Sequence, residues 1–292
     1  MHSRASSHDI PRRPPVLGLP AAAVTGNWYA GKRFHSRMGD ALSLTFPEGE
    51  AFFVESVRHF QGQLEDPALV EAVQAFVAQE AAHGRAHRSF NRALEEGGLP
   101  VAAELQAELR ALFNTVRRVL SPKSQLAVTC GLEHFTALMA EQLIGDREHR
   151  EALAPEVRPL WLWHALEETE HKSVAFDVYR AVGGGYLRRA LIMVLTTLFF
   201  FRVTDRFRRR LQAVDGPLSG RELLEAVDHV WGRRGLMRRL IPGYLAYFRP
   251  SFHPTDHDAR GLIAWCRDYL SGPGRPQNWA ASQPTERNTQ PT

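Results

Sequence analysis

Lysine is almost missing from this chain. Of 36 basic residues only Lys32, Lys123 and Lys172 are lysines, so 33 are arginines. No RNP, zinc-finger or helix-turn-helix signature accompanies them, which excludes a recognisable nucleic-acid module. Cysteine is equally scarce. Cys130 and Cys266 cannot build a disulfide framework. Residues 1–13 lack the apolar core of a signal peptide. The expected location is therefore a reducing, cytoplasmic one. Long apolar runs are absent too. The longest, Ala190 to Phe201, has 12 residues, against the ~20 a membrane span needs. Gly-x-Ser-x-Gly, Walker and Rossmann fingerprints are missing. So is any stretch of strand-like alternation.

What remains is helix. The chain has 292 residues, 44% hydrophobic, with a net charge of +4, enough for one large or two small domains. The spacing predicts a helix after Phe46-Pro47, with Pro47 at the first helical position, ending between Gly62 and Pro67. A second runs from Pro67 to Glu96 and stops at Gly97-Gly98. A connecting helix follows over 101–120. Ser121-Pro122 starts another, to Gly145. The next spans from Pro159 to Gly183, and one more covers Tyr186 to Val214. Ser219 and Glu222 form a capping box for a helix to Trp231, and a short helix is expected over 256–269. The resulting organisation is an irregular segment (1–45), a helical bundle (46–184), a C-terminal helical extension (185–270) and a disordered tail (271–292).

Two helical stripes carry acids and histidines where leucine would be expected. One reads Leu69, Val73, Phe76, Glu80, His83, His87, Phe90, Leu94. The other reads Leu160, His164, Glu168, His171, Ala175, Val178, Val182. Both follow the step of a single buried helix face. At 100° per residue, Glu80, His83 and His87 lie within about 60° of one another, as do His164, Glu168 and His171. Buried acids and imidazoles need partners, and a metal would satisfy them together.

The missing carboxylates follow from level matching across antiparallel hairpins. A turn centred near residue 64.5 sets Glu80 level with residue 49. Among Glu48, Glu50 and Glu55, only Glu50 shares the stripe of Phe53, Val57, Phe60 and Leu64. In the second half Glu133 interrupts the stripe Leu126, Cys130, Ala137, Ala140, Ile144. The midpoint of 133 and 168 falls at 150.5, inside the next turn. Each half thus reads Glu, then Glu-x-x-His.

This pattern resembles the ferritin-like di-iron carboxylate proteins, whose bundle core holds two metals by such a set. The resemblance implies an all-α, ferritin-like four-helix bundle with Glu50, Glu80, His83, Glu133, Glu168 and His171 as ligands. It implies two iron ions, with manganese as the alternative. The order His164-x3-Glu168-x2-His171 is similar to that of di-iron amine N-oxygenases, which implies His164 as a seventh ligand. His87, one turn beyond His83, reads as an active-site acid/base or as a group behind the ligands. More closely, Phe46-Pro-x-Gly-Glu50, Gln79-Glu80-x-x-His83-x3-His87 and Trp163-His164-x3-Glu168-x-Glu170-His171-Lys172 resemble a bacterial family labelled "predicted metal-dependent hydrolase".

Glu167 and Glu170 flank the second stripe as solvated or outer groups, with Glu170 placed to orient a neighbouring histidine. Trp161 and Trp163 suit packing better than electron transfer. Lys172 and Asp177 suit surface pairing. Three functions fit these residues. The favoured one is a dioxygen-activating oxidoreductase acting on a small apolar or aromatic substrate with an electron donor. The second is a hydrolase using a metal-bridging hydroxide, and the third is a non-catalytic metal-binding bundle. Residues 186–210, apolar and flanked by arginines, suit bundle cover, a homodimer face, peripheral membrane contact or a pocket wall.

Overall fold

The structure, a computed structural model, describes residues 9–272. Among these the chain is all-helical. The single strand-like feature is an antiparallel bridge between Tyr29 and Leu153. The helices are α1 (Ala21–Thr25), α2 (Arg33–Arg58), α3 (Pro67–Glu96), α4 (Val101–Val119), α5 (Pro122–Gly145) and α6 (Arg147–Ala152). They continue with α7 (Arg158–His171), α8 (Val174–Ala181), α9 (Tyr186–Asp215), α10 (Gly220–Trp231), α11 (Leu236–Ala246) and α12 (Arg260–Ser271).

Caps explain the helix starts that the sequence shows well. Asp66 accepts from Ala68 N ahead of Pro67, Ser121 from Ser124 N ahead of Pro122, and Ser219 pairs reciprocally with Glu222. The core joins two antiparallel arrangements, α2 against α3 and α5 against α7 and α8. They meet where α2 touches α5 and where α3 touches α7 and α8. Phe52, Val57, Val73, Phe76, Phe90, Leu126 and Trp163 are all buried there, each apolar side chain contributing roughly 1.5–3 kcal/mol. Helix α9 lies across α2 and α5, α4 covers α2, and α12 covers α7.

Four features differ from the sequence reading. First, Pro47 is interior to α2, which begins fourteen residues earlier, at Arg33. A mid-helix proline leaves the carbonyl four residues back without its donor. That carbonyl is Ser43 O, and Asn91 Nδ2 of α3 donates to it at 3.2 Å. The early part of α2 buries the ions Arg37 and Asp40 and small polar residues alongside a single leucine, Leu44. Arg37 pairs with Asp40 and Asp215, each at 2.7 Å, and Trp28 Nε1 donates to Asp40. An apolar period therefore does not mark it. Second, the helix expected from Pro159 to Gly183 breaks after His171. Lys172 is drawn to Glu141 of α5 at 2.6 Å and to the carbonyl of His257, and α8 restarts at Val174. Third, α6 occupies what was read as a connection, capped by Asp146. Fourth, the last helix starts at Arg260, after a 3-10 turn over Pro254–Asp256. The expected disordered tail lies, from residue 273, outside the described residues.

Candidate metal centre

Helices α2, α3, α5 and α7 each contribute to one buried cluster of acids and imidazoles. From α2 comes Glu50, from α3 Glu80 and His83, from α5 Glu133, and from α7 His164, Glu168 and His171. All seven are buried. His171 Nε2 lies 3.1 Å from Glu80, 3.4 Å from Glu133 and 3.6 Å from Glu168. His83 Nδ1 lies 3.7 Å from Glu80 and 3.5 Å from Glu168. His164 Nε2 lies 3.0 Å from Glu168 and 3.9 Å from Glu50. Three overlapping groups could each hold a metal ion: Glu50–His83–His164, Glu80–His83–Glu168 and Glu80–Glu133–His171. Within each group the donor atoms lie within 4.8 Å of one another. Gly84 keeps room for the Glu50 carboxylate, since a Cβ there would sit 3.2 Å from its Oε2.

The inward atoms are poorly satisfied by the protein itself. Both oxygens of Glu50, Glu80 and Glu133, together with Glu168 Oε2, His83 Nδ1 and His171 Nε2, are buried without a hydrogen-bond partner. Such burial is costly unless something fills the gap. The electrostatics agree. Burial, then the charges of Glu168 and Glu80, pushes Glu133 up to about 8. Burial and then Glu80 also hold Glu50 well above the usual carboxylate range. Burial opposes charge on His83 and His171, yet close carboxylates outweigh it, first Glu167 for His83 and Glu133 for His171. Both imidazoles are held well above their ordinary range. Burial works against charge on Glu80 and Glu168 as well, but pairing with His171 and His164 respectively holds both below the usual carboxylate range, so the cluster balances its own charges for want of other cations. A carboxylate-rich donor set of this kind fits hard or borderline divalent metals.

Behind the inward atoms stands a set of groups that fixes the rings. His83 Nε2 faces Glu167 at 3.0 Å. Glu167 is itself held by Trp163 Nε1 and Arg13. His171 Nδ1 faces Gln79 Oε1 at 2.9 Å. The Gln79 amide donates to the carbonyl of Pro11. His164 Nδ1 faces His87 Nε2 at 2.6 Å, and His87 Nδ1 faces Ser43 Oγ at 2.9 Å. Ser43 Oγ donates to Asn91 Oδ1 at 2.7 Å, and Asn91 closes the loop on Ser43 O.

Of the residues set aside on the sequence, two fall where expected. Glu48 pairs with Arg110 and Glu55 with Arg117 on the outside. Lys172 pairs with Glu141 and Asp177 with His253, but both pairs are largely buried rather than on the surface. Glu170 is not solvated. It takes Arg13 and Arg267, each at 2.7 Å, and reaches His171 only through Gln79.

Two cavities reach the cluster and share Phe46, Thr136 and Glu168 as lining residues. The first, about 120 Å³, is walled by Trp28, Trp161 and Met139 and touches His164. At its far side stand Tyr29, His35, His149 and His229, three imidazoles from three separate segments that the sequence did not bring together. Tyr29 hydrogen-bonds His149, and the His35 and His229 ring centroids lie 3.8 Å apart. The second cavity, about 200 Å³, touches Glu50 and is walled by α4, α5 and α9. His87 lines neither cavity.

Fold and cluster together define a helical protein with a buried carboxylate–imidazole centre able to hold metal. The sequence matches the family described as "Predicted metal-dependent hydrolase" over residues 13–258, and the chain belongs to that family. Comparison with curated proteins and with solved structures found no match.

Proposed function

We propose that this protein is a metal-dependent hydrolase with two cations held by Glu50, Glu80, His83, Glu133, His164, Glu168 and His171. The observation that carries the metal is the set of buried inward atoms with no partner but one another. The family description supports hydrolysis as the reaction. Bound divalent ions supply Lewis acidity and lower the pKa of a coordinated water to near neutrality.

The chain's own residues do the rest. Glu167 and Gln79 each accept from the outer N–H of a histidine, which leaves His83 Nδ1 and His171 Nε2 as electron-pair donors. One tautomer set satisfies the third ring. His164 Nδ1–H donates to His87 Nε2, and His87 Nδ1–H donates to Ser43 Oγ. His87 is thereby a positioning residue for His164 rather than an acid or base facing substrate. The apolar walls around Phe46 exclude water and suit a substrate with an apolar body.

A second reading is dioxygen-dependent oxidation with iron. The donor set favours it, because four carboxylates and three imidazoles suit iron or manganese. The family description does not support it. Metal-free protein loaded with zinc or manganese under argon and offered p-nitrophenyl esters tests the two. Saturable hydrolysis that disappears in Glu80→Ala supports the proposal. No hydrolysis with any metal, together with oxygen uptake after ferrous loading, would transfer the assignment to oxidation. Glu80 belongs to two of the three donor groups. Its loss should therefore lower metal content from about two ions per chain to none, read by elemental analysis.

A further inference from the structure

Helix α9 is apolar on two faces. The inner face, through Ile192, Thr196, Phe200 and Val203, closes the larger cavity against Glu50 and Glu168. The outer face carries Leu187, Leu191, Val194, Leu198 and Phe201. Their steps of four and three residues form one stripe. It is open to water, with Leu187 80%, Leu191 62% and Leu198 65% exposed. The stripe does not end with α9. Phe201 lines a groove together with Leu223, Val227 and Trp231 of α10, and those three are exposed as well. Contiguous apolar surface of this extent marks an interaction site.

Charge selects the occupant. Residues 186–249 hold 13 arginines and 5 acidic residues, a net +8. The whole chain carries +4, so the remaining residues carry −4. Arg202, Arg233 and Arg238 are exposed and have no acidic partner among the described residues. A second copy docking by a twofold axis would press this patch against itself and oppose two positive faces. The segment beyond residue 272 is a poor cover. It offers Trp279 as its one large apolar side chain and carries Arg275 and Arg287 against Glu286. An anionic bilayer offers both an apolar interior and negative headgroups. No described helix is long and apolar enough to cross it.

We propose that the α9–α10 face docks on an anionic membrane surface and that the cavity beneath α9 receives the apolar chain of a lipid-class substrate. Leu195 joins the two features, since it is half exposed and also lines the cavity. The cavity, about 200 Å³, exceeds the roughly 150 Å³ apolar void that admits a benzene. It ends at Glu50 and Glu168. The docking half stands without the metal assignment; the substrate half rests on the function proposed above.

The test is co-sedimentation of the full, metal-loaded chain with phosphatidylcholine vesicles, with and without phosphatidylglycerol. The expected result is binding to the anionic vesicles that weakens as salt rises. Leu191→Glu with Leu198→Glu should reduce it at least about tenfold. Both leucines are exposed, so an unchanged circular-dichroism melt is the folding control. Glu80→Ala should bind vesicles as the wild type does, which separates a failure of docking from a failure of the metal assignment. Absent binding, or equal binding by the double variant, overturns the docking. A wild-type dimer that the same double variant splits, with vesicles ignored, makes a second copy the occupant and also overturns it. For the cavity, a fluorescent fatty acid is titrated into metal-free chain. Val203→Phe, with Leu132→Phe as a second filling variant, should weaken its binding about tenfold and leave vesicle binding intact. Unchanged fatty-acid binding in both variants overturns the substrate half.

Discussion

His83 in the first half of the centre and His171 in the second each turn one nitrogen inward and have the other held by the opposite half. His83 Nε2 meets Glu167 of α7, and His171 Nδ1 meets Gln79 of α3. Gln79 stands one residue before Glu80, and Glu167 one residue before Glu168. The backing is therefore reciprocal in position and unlike in chemistry. A carboxylate acceptor raises the basicity of an imidazole more than an amide does. The surroundings reinforce the difference, because Glu167 is held by Arg13 and Trp163, whereas Gln79 leans on a backbone carbonyl. A repeat in the sequence thus need not produce two equally backed imidazoles. Here one letter separates them.

The largest expected effect tests that inequality. Glu167→Ala should weaken metal binding about 100-fold and Gln79→Ala about tenfold, measured by chelator competition. Equal losses would break the comparison. An intermediate effect concerns His164, which has no counterpart in the first half. Its backing runs through His87 and Ser43 to Asn91, which meets the carbonyl that Pro47 leaves free. Asn91→Ala should cost about 1–3 kcal/mol, or roughly 2–4 °C of melting midpoint per kcal/mol. Adding Pro47→Ala returns an N–H to Ser43 O and should recover most of the loss. If the double variant melts no higher than the single one, the proline is not the reason for Asn91.

The smallest effect concerns the polar end of the first cavity. Burial pushes His35 down to about 4 and His229 to about 3, and also lowers His149. Each stays neutral in the folded chain while its unfolded counterpart takes a proton near pH 6.5. Below that pH the unfolded state binds more protons, so this contribution to stability is complete above about 6.5 and fades as pH falls towards 4. His35→Phe with His229→Phe should flatten the melting midpoint across that window. An unchanged slope would show that the cluster does not carry it.

Much of the fold was legible because its signals are local. Asp66, Ser121 and Ser219 announce their helices, and the boundaries of α3 and α5 follow. The first half of α2 was not legible, because its buried face is the Arg37–Asp40–Asp215 network rather than a leucine stripe. The break after His171 was hidden because Lys172 and Ser173 carry neither proline nor glycine. Glu50 and Glu133 could be placed beside the two Glu-x-x-His pairs because antiparallel helices keep residues level. Gln79 and Glu167 could not be given their tasks, since each lies about 100° off its stripe and acts on a ring of the other half. The imidazoles of His35, His149 and His229 come from α2, α6 and α10, and no local pattern joins them.

The extended stretch before α1 has a reach that its irregularity conceals. Arg13 holds the carboxylate behind His83, and the carbonyl of Pro11 holds the amide behind His171. Through Glu170, Arg13 also meets Arg267 of α12. Residues 11–13 are thus a common handle on both outer hydrogen bonds. Anything that pulls on that handle retunes the two imidazoles together while leaving all seven inward donors in place.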